Sequence, residues 1–174
     1  MKRIAALGLI LLTLSPATAL SQTRKRSSAA KPKPSANVAA QRTAEVRTGG
    51  ATRVADQIKL LTRFIYLLGG ITAGIAQIDE AARRNEASPE QVQRNQQSKA
   101  TVRNSILGFR EALDKLEIDF RATPELQPYY IKLAGVANGA AIAEQQAAAN
   151  QFDGAGRQLL TVVNKLTDVL LLMR

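Results

Sequence analysis

"FIYLLGGITAGIAQI", residues 64–78, runs fifteen positions from Arg63 to Asp79 without a charged side chain, and its reading decides the fold. As a helix it rises about 22 Å, short of the ~30 Å that a bilayer core requires. Lys59 and Arg63 lie just upstream, and Asp79 and Glu80 stand one turn before Arg83 and Arg84 downstream. Apolar residues also recur through it at helical steps: Val54, Ile58, Leu61, Ile65, Leu68, Ile71, Ile75 and Ile78. The stretch therefore reads as the crowded middle of a long helix inside a bundle, not as a membrane span.

Two further segments carry the same seam. Val102, Ile106, Phe109, Leu113, Leu116 and Phe120 step by three and four, as do Leu159, Val163, Leu166, Leu170 and Met173. Between them, alanine-rich residues 129–150 place Leu133, Val136, Ala140, Ala143 and Ala147 on one face. Ser88-Pro89-Glu90-Gln91 has the form of an N-cap, a proline at the first helical position and a capping-box glutamine. Thr123-Pro124 starts another helix, and Asp153 is a candidate cap for the last one. Short connections between long helices predict antiparallel neighbours. The expected fold is all-α: an antiparallel up-down four-helix bundle over residues 51–174, with helices at about 51–86, 89–121, 124–150 and 155–173.

The N-terminus has a different composition. Lys2 and Arg3, the apolar run Ile4 to Leu14, and Ala17-Thr18-Ala19 after Pro16 form the three parts of a signal peptide over residues 1–19. The expected location is periplasmic or secreted, with no transmembrane span in the mature chain. Residues 20–50 carry seven basic residues against one acidic, with few apolar side chains, and read as a flexible linker; a short helix over Val38 to Arg47, with Asn37 as its cap, is an alternative there that Thr48-Gly49-Gly50 ends before the bundle. Residues 51–174 hold 15 basic and 13 acidic residues, so most of the formal +10 lies outside the bundle. Arg24, Lys25, Arg26, Lys31 and Lys33 are candidates for tethering the chain to an anionic surface. Nucleic acid is disfavoured as a partner, because residues 20–50 contain no aromatic side chain to stack on bases.

The chain contains no cysteine and no histidine. Thiolate nucleophiles, disulfides, His-based triads and the usual zinc and haem ligations are thereby excluded, and no cofactor or metal is expected. Carboxylates remain, but Asp79, Glu80, Glu90, Glu111 and Glu117 each have a base four residues later, the arrangement of solvated helix faces. No catalytic residues are assigned, and the chain is read as a non-enzyme.

Mid-helix glycines are the unusual feature, since each costs about 1 kcal/mol relative to alanine. Gly70 and Gly74, and Gly135 and Gly139, are spaced one turn apart. Close packing of these two faces on each other is the preferred reading. The alternatives are a ligand pocket that Tyr66, Tyr129 or Tyr130 would help line, and a homodimer or membrane contact. The two glycine segments also echo each other at an offset of 65 residues, from Leu68 on Leu133 to Asn85 on Asn150. A duplicated helix hairpin and similar packing demands both account for that. The expected function is an interaction or scaffold module of the cell envelope with an unidentified partner; the alternative is a carrier of a small apolar ligand held between helices.

Overall fold

The computed structural model describes residues 36–174, and among them every regular element is a helix. These are α1 (Ala36–Arg83), α2 (Pro89–Ala122), α3 (Gln127–Leu133), α4 (Val136–Ala148) and α5 (Phe152–Leu172). The readings of residues 1–19 and 20–35, including Arg24, Lys25, Arg26, Lys31 and Lys33, lie outside the described residues.

Local chemistry sets several ends. At α2 the Ser88 hydroxyl accepts from the Gln91 N–H at 3.2 Å, and Gln91 Oε1 accepts from the Ser88 N–H at 2.8 Å, with Pro89 starting the helix. α1 and α4 end alike, on an asparagine in the left-handed conformation: Asn85 at φ 59 and Asn150 at φ 61. In each case the next N–H reaches back five residues, Glu86 to Ala81 and Gln151 to Gln146, both at 2.8 Å. These are Schellman-type closures, offset by the same 65 residues as the sequence echo.

Packing follows the apolar seams. Leu61, Leu68 and Ile75 of α1 point into a core with Ile106, Leu113 and Phe120 of α2, Ala140 and Ala143 of α4, and Leu159 and Leu166 of α5. α1 packs on α2 and α5, and α4 packs on the same two helices. α1 and α4 thus face each other across the core instead of lying side by side. Along α1 and α2 the ends are reversed, with Arg53 paired to Asp119 at 3.1 Å and Asp79 to Lys99 at 2.7 Å. The Phe64 and Phe109 rings meet at a centroid distance of 5.1 Å midway.

Three expected boundaries shift. Thr48-Gly49-Gly50 does not end a helix: α1 begins at Ala36 and passes straight through it, so residues 36–50 are not linker. Gly50 is buried, and a β-carbon there would lie 2.8 Å from Leu126 Cδ2 and 3.0 Å from Met173 Cε. Its glycine allows close approach to the bundle end rather than a stop, and Val46 packs against the same core. The helix expected at 124–150 does not start at Thr123-Pro124, because Thr123 is the C-cap of α2; it starts at Gln127 and is broken at Ala134 and Gly135, where Gly135 takes φ 92. α5 starts at Phe152 with Gln151 as its N-cap, so Asp153 lies inside the first turn and does not cap it.

The surface charges also differ from the expected pairs. Of the five, Glu80–Arg84 forms, at 2.9 Å, and Glu80 also holds Arg83 at 2.6 Å. Asp79 instead turns to Lys99, and Glu117 to the backbone of α4. Arg110 reaches across to Glu144 at 2.8 Å, and that hydrogen bond raises the guanidinium pKa above its ordinary value.

Candidate functional site

The uncharged run of α1 is not the crowded middle of a bundle helix. Between Phe64 and Ile78, Leu68 and Ile75 are buried, whereas Leu67 and Ile71 are exposed and Tyr66 is 83% exposed. An 18-residue apolar window of α1 is 17% buried. The physical reason lies in the partners: α1 has neighbours on two sides, α2 and α5, and its remaining side faces outward with apolar residues on it.

The four glycines separate by environment. β-carbons at Gly70 and Gly74 would meet nothing within 4 Å, so these two are not close-packed on any of the described residues. A β-carbon at Gly139 would lie 2.7 Å from Val162 Cγ2, which places that glycine against α5. Gly135 is the left-handed residue of the α3–α4 turn. The expected contact between the two glycine faces is therefore absent, because α1 and α4 lie across the core from each other. Tyr129 and Tyr130 are half-buried against the core in α3, far in sequence and element from Tyr66 on α1.

Where α1 meets α2, the missing glycine side chains leave an open groove of about 380 Å³. Its α1 wall is Gly70, Ile71, Gly74, Ile75 and Ile78, and its α2 wall includes Arg94 and Ser98. Beneath it is a compact polar cluster. Asn95, 6% exposed, donates from Nδ2 to Asp79 Oδ1 at 2.7 Å and to the Ile75 carbonyl at 3.4 Å. Lys99, also 6% exposed, donates from Nζ to the same Asp79 oxygen at 2.7 Å. Asn95 and Lys99 occupy the core-facing seam of α2 one turn apart, so two polar residues interrupt an otherwise apolar row.

Electrostatically the face is lopsided. The acids of α1 that flank it are each held by bases: Asp56 by Lys59, Asp79 by Lys99 of α2, and Glu80 by Arg83 and Arg84. Among the described residues, neither Arg63 nor Arg94 takes part in an ion pair. Among those residues, too, no three Asp or Glu side chains converge as a metal site would require. The arrangement offers an apolar strip, a shallow hollow and two unpaired guanidinium groups. Its chemistry is that of a contact surface: apolar area to bury and positive charge to answer an anion.

Compared with known proteins, the chain matches no family model, no curated relative and no solved structure.

Proposed function

We propose that this chain is a non-catalytic interaction module of the cell envelope, exported by residues 1–19, whose working surface is the outward side of α1. Its four long helices read as an up-down bundle, with α3 as a short lead-in to α4. The reading is carried by one observation: the most apolar stretch of the longest helix is left uncovered. Isolated apolar side chains are normal on protein surfaces, but a contiguous strip marks a contact site.

The absence of cysteine makes a direct test available. Leu67→Cys and Asp168→Cys each introduce one thiol, the first on the α1 face and the second on the exposed side of α5. Maleimide labelling in intact producing cells, compared with the purified protein, is expected to show protection at position 67 and none at 168. Equal labelling at both positions in cells would remove the basis for an α1 contact surface.

A second reading is supported by the groove itself. Its apolar α1 wall and the Arg94 guanidinium at its side suit a small apolar molecule with an anionic end. Native mass spectrometry of the protein purified from its own host is the check: a bound apolar mass supports a carrier, and a ligand-free spectrum counts against it.

A further inference from the structure

We propose that the outward side of α1 docks on an anionic lipid bilayer, lying on it rather than crossing it; this rests on the contact-surface reading above and names its partner. By length and composition alone α1 is long and apolar enough to cross a membrane. Its opposite side argues for lying flat. Leu61, Leu68 and Ile75 recur every seven residues and are 0%, 3% and 5% exposed, so that side is committed to the protein core. A helix with one side in the core and one apolar side free fits an interface, not a span.

The apolar part is supplied by Leu60, Tyr66, Leu67 and Ile71, all exposed. Tyrosine is suited to the headgroup level, with its ring in the acyl boundary and its hydroxyl in water. Gly70, Ala73 and Gly74 project nothing bulky between these side chains, so the backbone can come close to the surface.

Charge identifies which surface. The acids of α1 beside the strip, Asp56, Asp79 and Glu80, are already answered by bases, whereas among the described residues Arg63 and Arg94 take part in no ion pair. Long basic side chains lay their stems along apolar surface and deliver the head to phosphates. The sequence immediately before α1 adds charge of the same sign: residues 20–35 contain Arg24, Lys25, Arg26, Lys31 and Lys33 and no acid. Stable attachment to a membrane surface takes two signals, such as an apolar contact and a polybasic segment, and this chain holds both in series.

The test uses residues 20–174, because residues 34–174 form a compact unit of their own that this chain contains whole. The probe is sedimentation with vesicles of phosphatidylcholine alone, or with roughly a third phosphatidylglycerol, at about 0.15 M salt. The expected result is binding to the anionic vesicles at least about tenfold tighter than to the neutral ones. Leu67→Glu with Ile71→Glu, and separately Arg63→Glu with Arg94→Glu, are each expected to weaken it at least about tenfold, with unchanged circular dichroism. Equal binding to neutral and anionic vesicles would overturn the proposal. So would full binding by the Leu67→Glu/Ile71→Glu variant, which would leave the basic segment acting alone. A dimer by light scattering that this variant dissociates would assign the face to a second copy instead. Protection of position 67 in cells without vesicle binding would sink the bilayer and keep the contact surface.

Discussion

Lys99 and Asp79 form an ion pair at 2.7 Å in which the lysine side chain is 8% exposed and the aspartate 38%. The lysine is the more dependent partner. Removing the carboxylate by Asp79→Ala leaves a buried ammonium without an answering charge, at a cost of about 1–3 kcal/mol. Lys99→Met fills similar volume without charge and leaves Asp79 with the Asn95 amide, so its effect is expected within about 1 kcal/mol of zero. The double variant should recover most of the loss of the single Asp79→Ala change. Urea unfolding of the four proteins checks this; a Lys99→Met variant as unstable as Asp79→Ala would contradict the asymmetry.

Glu117 acts across a different seam. Its Oε1 accepts from the N–H groups of Gly135 and Ala137, both at 2.9 Å, and so caps the start of α4 from α2. Lys165 closes the other side of the turn by donating to the Ala134 carbonyl. Glu117→Ala is expected to cost about 1–2 kcal/mol, and Glu117→Gln less, since an amide oxygen can still accept. Gly135→Ala should cost about 1–2 kcal/mol, because an alanine resists φ 92. Thermal unfolding of the three variants is the measurement, and an unchanged Tm for Glu117→Ala would show that the cap contributes nothing.

These two residues also show what the sequence could and could not convey. The Ser88 cap was readable because its partners lie within three residues. Asn85 and Asn150 were readable as a repeated pattern, and they close α1 and α4 in the same way. The repeat extends to function within the packing, since Asp79 and Glu144 occupy matching positions and both bind bases of α2, Lys99 and Arg110. Glu117 was not readable: its spacing to Arg121 is that of a surface pair, and its true partners lie 18 and 20 residues on. The α1 run failed for a related reason. Apolar residues at helical spacing show that a helix has something to bury, but not whether the chain supplies enough neighbours to bury it. The polar cluster of Asn95 and Lys99 had one available sign, two polar residues at seam positions of α2.

The start of α1 gives a truncation test. Deleting residues 1–35 leaves every described residue in place, and Tm is expected to be unchanged. Deleting residues 1–50 removes Val46 and Gly50 from the Leu126 and Met173 end of the core. That loss should cost about 1–3 kcal/mol from buried apolar contact and visibly reduce helical signal. Equal Tm values for the two truncations would show that α1 draws no stability from residues 36–50.

The glycines finally divide into two classes whose substitutions should have opposite signs. At Gly70 and Gly74 nothing lies within 4 Å of an added β-carbon, so Gly→Ala removes a backbone entropy cost and is expected to stabilise by about 0.5–1 kcal/mol each. At Gly139 the same methyl meets Val162 Cγ2 at 2.7 Å, a stiff and buried side chain, and should destabilise by about 1–3 kcal/mol. Gly50 should fall between, because the ends of Leu126 and Met173 are more adaptable. Unfolding of the four variants decides the sign, and destabilisation by Gly70→Ala or Gly74→Ala would mean that α1 packs where the structure leaves it open. The stabilised pair also separates partners. A bilayer is deformable and should accept two added methyl groups with little change in vesicle binding. A protein helix seated against the glycines could not, and Gly70→Ala with Gly74→Ala would then weaken the contact while strengthening the fold.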